Sequence, residues 1–63
     1  MNDEELRKEC KLLKVFDNVK YKEIAEFLEI KQDSFYLWLK GYYRFSDDRK
    51  RRLEEIISDL KGV

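Results

Sequence analysis

Apolar residues recur at helical spacing in four stretches of this chain, with polar residues filling the positions between them. In the first stretch Leu6, Cys10 and Leu13 stand at i, i+4 and i+7, and Leu12 with Phe16 widens the stripe. This predicts a helix over residues 3–15, with Asp3, Glu4 and Glu5 at the positive end of its dipole. Asp17, Asn18 and Val19 then read as a turn, the Asn or Asp able to cap the helix that follows. The second stretch, residues 21–28, turns Ile24, Phe27 and Leu28 inward, and Ala25 is the small residue that a close helix crossing needs. Glu29 and Ile30 form the next turn.

The third helix is expected over residues 32–40. At about 100° per residue, Phe35, Trp38 and Leu39 gather on one side. Asp33, Leu37 and Lys40 point the other way, with Tyr36 at the flank. Gly41 stands where a left-handed C-cap belongs. Ser46 suits the N-cap of a fourth helix reaching residue 60, with Asp47 and Asp48 in its first turn. Leu53, Ile56, Ile57 and Leu60 form the apolar stripe of that helix, and Gly62 ends it. No internal repeat or low-complexity segment is visible.

Sixty-three residues make one domain, residues 1–63. The chain has no proline and only two glycines, Gly41 and Gly62, so little interrupts helices. The expected fold class is all-α, a compact four-helix domain. The single cysteine, Cys10, rules out an intramolecular disulfide and falls on an apolar stripe, where a core role is expected. The absence of histidine excludes His-based catalytic dyads and Cys/His zinc sites, and neither a metal nor a cofactor is expected. The apolar runs are too short to span a bilayer, so no membrane role is expected. The charged start MNDEELRKEC lacks the apolar segment of a signal peptide, and a cytoplasmic setting is the expectation. Met1 and the ending at Gly62 are what a complete small protein would be expected to have, and a domain of a longer chain stays open as the alternative.

Charge changes the picture more than composition does. The chain is neutral overall, with 14 basic and 14 acidic residues, yet residues 31–52 hold seven basic and three acidic ones, a net of +4. Residues 1–30 and 53–63 each carry a net of −2. Phosphate binding needs positive charge on one face, not over the whole chain. The positive block contains the third helix and the segment after it. The stretch YKEIAEFLEIKQDSFYLWLK, residues 21–40, then reads as two short helices joined by a tight turn, the second presenting a polar edge. That is the layout of a helix-turn-helix, whose second helix can lie in the DNA major groove.

With Ile24, Ala25, Leu28, Ile30, Phe35 and Trp38 in register, the chain resembles the Cro/repressor (xenobiotic-response-element type) helix-turn-helix family of phages and bacteria. The likeness continues through FYLWLKG, which ends in Gly41, and through the capped helix beginning SDDRKRRLEE. It implies a lambda-repressor-like domain, sequence-specific binding of double-stranded DNA and a role as a small transcriptional regulator. Two positions depart from the family pattern. Glu29 stands where the turn usually has glycine, and a non-glycine residue in a left-handed conformation costs about 1 kcal/mol. Lys31 stands where a capping Ser or Thr is common.

The groove-facing candidates are Lys31, Gln32, Asp33, Tyr36, Leu37 and Lys40. The Gln32 amide offers the donor and acceptor that an adenine edge requires, and the resemblance implies a base-reading role at this position. Asp33 facing DNA would have to accept from cytosine; serving the positive helix end is the preferred reading. Leu37 suits a thymine methyl or a neighbouring subunit, and the alternatives stay open. Phosphate contacts are expected from Lys20, Lys22, Lys40, Arg44 and the run Arg49, Lys50, Arg51, Arg52. Those four consecutive cations oppose the dipole of their own helix and repel one another, which points to an anionic partner; the alternative is a solvated helix face in which Asp47, Asp48, Glu54 and Glu55 offset the charge. Phe45 is expected in the core, as is Trp38. Tyr42 and Tyr43 are left open between packing and phosphate contact.

One motif of this size buries little DNA surface, so a homodimer through the C-terminal helix is expected, with Ile57, Leu60 and Val63 as candidate contacts. The competing class is a protein-interaction module on a helix-turn-helix fold, such as an anti-repressor or a phage packaging adaptor with a protein partner. Its motives are the neutral net charge and Asp33. No nucleophile–base pair, metal cluster or glycine-rich phosphate loop points to an enzyme.

Overall fold

Two of the four helices start on side-chain caps, and three of the connections turn on a left-handed residue. The computed structural model describes residues 2–62. It contains α1 (Asp3–Phe16), α2 (Tyr21–Phe27), α3 (Gln32–Leu39) and α4 (Asp47–Leu60), with no strand among the described residues. Helix α4 begins as expected, the Ser46 hydroxyl accepting from the Arg49 amide at 3.2 Å. Helix α1 gains a cap that was not foreseen: the Asn2 side chain accepts from the Glu5 amide at 2.8 Å. Lys20 and Lys31 precede α2 and α3 without a side-chain cap.

Helices α2 and α3 end in the same way. Glu29 donates to the Glu26 carbonyl and Ile30 to that of Ala25, at 3.0 and 3.1 Å. Gly41 donates to Trp38 and Tyr42 to Leu37, also at 3.0 and 3.1 Å. Both are paired C-terminal caps that need a left-handed residue in the middle. Gly41 supplies it at φ 89°, and Glu29 supplies it at φ 60°. Asn18 is left-handed too, at φ 57°, and so ends α1 rather than capping α2. Asn tolerates this conformation better than most residues.

Helix α1 packs along α4, and α2 packs against α3. The core draws on all four helices, with Leu6, Cys10, Leu13, Ile24, Phe35, Trp38 and Leu53 at or near zero exposure. Trp38 and Phe45 stack with ring centroids 4.3 Å apart and planes 10° from parallel, so the loop before α4 is pinned onto α3. Ala25 is buried, as a close crossing requires.

The apolar stripes are narrower than their sequence patterns. Phe16 is 76% exposed, Phe27 47%, and Leu12 also faces solvent. Each helix packs chiefly on one partner, so only the central positions of its stripe are covered. The four-helix expectation stands, but the inward placement of Leu12, Phe16 and Phe27 does not. Ile57 is buried inside the protomer and is therefore unavailable as a dimer contact. Leu60 is half-buried, and Val63 lies outside the described residues. No helix among the described residues is long and apolar enough to cross a membrane.

Candidate nucleic-acid interface

The outer face of α3 depends on how its inner face is held. The indole N–H of Trp38 is buried and needs an acceptor. Asp3, in the first turn of α1, provides one: its Oδ2 accepts from Trp38 Nε1 at 2.8 Å and from the Phe45 amide at 3.0 Å. Its Oδ1 lies 3.5 Å from Lys50 Nζ. Burial pushes the Asp3 carboxyl up, but the Trp38 and Phe45 hydrogen bonds and the Lys50 charge outweigh it and hold the pKa below the ordinary 3.8.

One turn along α1, Arg7 donates through Nε to the Trp38 carbonyl at 2.6 Å and through Nη2 to the Tyr43 carbonyl at 3.1 Å. Its guanidinium lies 5.2 Å from the centre of the Trp38 ring. A cation on these carbonyls suits the negative end of the α3 dipole. The Tyr43 hydroxyl donates to the Ser34 carbonyl, and the ring lies edge-on to Phe45. Tyr43 is thereby a packing residue, while Tyr42 stays exposed. In the sequence Asp3 reads only as a charge at the positive end of its own helix, and Arg7 is not singled out. The available signal was their i, i+4 spacing beside the Leu6–Cys10 stripe, together with a lone tryptophan in need of an acceptor.

With Phe35 and Trp38 locked inward, the opposite side of α3 is open. Lys31, Gln32, Asp33 and Lys40 are exposed, Leu37 is 45% exposed and Tyr36 36%. Gln32 and Tyr36 are joined, the amide Nε2 donating to the phenol oxygen at 2.7 Å. The Tyr36 ring meets Tyr21 at 6.0 Å in an edge-on contact. Lys14 Nζ lies 4.4 Å from the centre of the Tyr21 ring. Burial, then the neighbouring Cys10 and Tyr36, raise the Tyr21 pKa, so this phenol stays neutral. The Cys10 thiol is pushed up to about 12 by burial, reinforced by Glu9, and is not a reactive thiolate.

Two open grooves flank this face. One, of about 470 Å³, is lined by Lys14, Asn18, Val19, Lys20, Tyr21, Lys22, Gln32 and Tyr36. The other, of about 460 Å³, is lined by Lys11, Tyr21, Tyr36, Leu39 and Lys40. Neither lining contains a carboxylate, whereas a neighbouring groove that shares Lys11, Leu39 and Lys40 also holds Glu4 and Glu5. Lys20, Lys22, Gln32, Tyr36 and Lys40 are thus gathered around one aromatic pair. Lys11, Lys14 and Asn18 join them from α1 and its turn, although they are distant in sequence from the positive block.

The remaining cations lie elsewhere. Arg44 borders a cleft with Asn2, Asp3, Glu4 and Arg7. The run on α4 is split by helical geometry, because four consecutive residues point in four directions. Lys50 turns in to Asp3 and Asp47, each at 3.5 Å. Arg49 lies over the Phe45 ring at 5.6 Å. Arg51 pairs with Asp48 at 3.6 Å, and Arg52 with Glu55 at 3.8 Å. The run is therefore not a single patch. Asp33 sits exposed in the first turn of α3, where a carboxylate favours the helix end. Among the described residues no group of three or more acidic or cysteine side chains is arranged to hold a metal ion.

No protein-family model, curated protein or solved structure matches the chain.

Proposed function

We propose that this protein is a sequence-specific binder of double-stranded DNA, a small cytoplasmic transcriptional regulator of the Cro/repressor-like helix-turn-helix kind, and not an enzyme. In this reading α3 enters the major groove. Gln32 reads a base edge, with Lys31, Asp33, Tyr36 and Leu37 beside it. Lys20, Lys22 and Lys40 meet phosphates, supplemented by Lys11 and Lys14. The carrying observation is the open side of α3, bordered by two lysine-lined grooves without a carboxylate. Phosphate contact favours such a surface because neutralising it releases counterions.

Fluorescence anisotropy against a randomised duplex pool, titrated from low to physiological salt, tests the reading. Binding should weaken with a log–log slope of about −0.9 per phosphate contacted. No binding at low salt refutes it. A second copy would supply the surface that one motif lacks. The face offered for it is the groove of Phe27, Arg52, Ile56, Asp59 and Leu60. Sedimentation with and without DNA reads out the stoichiometry, and a monomer in both removes the dimer.

The second reading, a protein-interaction module, is favoured by the exposure of Val15, Phe16 and Tyr42. Reversing Lys20 and Lys22 to Glu separates the two. DNA binding collapses under the first reading, whereas a protein partner seated on Val15 and Phe16 is unaffected.

A further inference from the structure

The Gln32 side chain is exposed at the start of α3, where a free glutamine samples many rotamers, yet here it is tied down. Its Nε2 donates to the Tyr36 phenol oxygen at 2.7 Å, one helical turn away. The phenol is itself positioned. Its ring stands edge-on against Tyr21 at 6.0 Å, and Tyr21 packs on the buried Phe35 at 5.8 Å. Lys14 covers Tyr21 at 4.4 Å. A line of contacts thus runs from α1 and the core, through two tyrosines, to one surface amide.

We infer that Tyr36 is a positioning residue for Gln32, orienting its amide in the free protein so that the chain selects adenine at the base met by the first residue of α3. This rests on the DNA-binding reading. A glutamine amide carries two N–H donors and one carbonyl acceptor. Tyr36 takes one N–H. One N–H and the carbonyl remain, which is the pair that adenine N7 and N6 require. Guanine offers acceptors at both N7 and O6, so an amide held in this orientation leaves its carbonyl facing another acceptor. Rotamer freedom that would be lost on binding is already lost before DNA arrives. Tyr36→Phe keeps the ring and its packing on Tyr21 and removes only the oxygen.

The experiment has two arms. In the free protein, the side-chain amide resonances of Gln32 are followed by nitrogen–proton NMR in the wild type and in Tyr36→Phe. The inference expects the two amide protons to be widely separated in the wild type and to move toward free-glutamine values in the variant. Unchanged resonances overturn it, whatever the chain binds. In the second arm, the duplex that the wild type selects from a randomised pool is compared with its variants at the base pair to which Gln32→Ala becomes indifferent. Tyr36→Phe should reduce the preference for adenine there by about five- to tenfold, a fraction of what a bidentate contact supplies. The quantity read is the ratio of affinities for the adenine duplex and for random duplex, which should fall in the variant. An unchanged preference overturns the inference while leaving DNA binding intact. An equal loss on all sequences also overturns it, by making Tyr36 a phosphate contact. Failure of the wild type to bind any duplex defeats the DNA reading itself, and the base-selection inference falls with it.

Discussion

Helix α3 has two sides that are built on opposite principles. The inner side ends in a corner where Asp3, Arg7, Trp38, Tyr43 and Phe45 saturate one another. Its indole N–H, the Phe45 amide and the Trp38 and Tyr43 carbonyls all have partners. Among the described residues no buried side-chain nitrogen or oxygen is left unpaired. The outer side, from Lys31 to Lys40, carries the side-chain hydrogen bond between Gln32 and Tyr36, with lysines around it and no carboxylate in the two grooves beside Tyr21 and Tyr36. A small domain has a thin margin of stability. Concentrating satisfied polar contacts on one side of a helix leaves the other side free to carry unpaired charge and unburied apolar surface. The corner governs whether α3 exists in place, and in the DNA reading the outer face governs what it meets.

The hardest test of this contrast removes the corner's centre. Trp38→Ala deletes a fully buried indole and should cost about 3–5 kcal/mol, enough to leave much of so small a domain unfolded by chemical denaturation followed with circular dichroism. Asp3→Ala is the next largest. It strands the Trp38 N–H and the Phe45 amide and should cost about 2–3 kcal/mol. The corner also predicts an acid response. The Asp3 pKa is lowered on folding, so the stability it contributes is complete above the ordinary value of 3.8 and is lost as the pH falls through the lower folded value. Denaturation midpoints of the wild type and Asp3→Asn should therefore converge as the pH drops below about 4. Parallel curves would show that the carboxylate does not hold the corner.

The turn between α2 and α3 offers a smaller effect of opposite sign. Glu29 sits at φ 60° where Gly41, in the matching cap of α3, sits at φ 89°. Glu29→Gly should stabilise the fold by about 1 kcal/mol, read as a higher thermal midpoint, because a left-handed residue without Cβ is unstrained. The smallest effect on stability belongs to the outer face. Lys20→Ala with Lys22→Ala should leave the denaturation midpoint where it was. In the DNA reading the same pair lowers the salt slope by about 0.9 for each lysine that met a phosphate. A pair that unfolds the protein would erase the distinction between the two sides.

Most of the secondary structure was legible because helical period and caps are local signals. Ser46, Gly41 and the stripes of α1 and α4 lie within a turn or two of what they control. The Asn2 cap is the exception, a local signal that the sequence reading passed over. The outer face of α3 was legible for the same reason: once Phe35 and Trp38 face inward, the other residues have only one direction left. The corner was not, since Asp3 and Trp38 are 35 residues apart and nothing local links them. The run from Arg49 to Arg52 misled in the reverse sense. Adjacent in sequence, its members leave α4 in different directions, and Lys50 is drawn inward by Asp3.

By itself, the sequence determined that this is an all-α chain of four short helices, where they begin and end, and which side of α3 is buried. Those follow from helical period, capping and the scarcity of chain breakers, all of which act over a few residues. Only the tertiary structure decided that Asp3 and Arg7 anchor α3, that Lys11 and Lys14 of α1 stand beside Lys20, Lys22 and Lys40, that the cations of α4 are divided, and that Phe16 and Phe27 remain in solvent. Each of these depends on which helix lies against which, and that is set by side chains meeting across the core from distant parts of the chain.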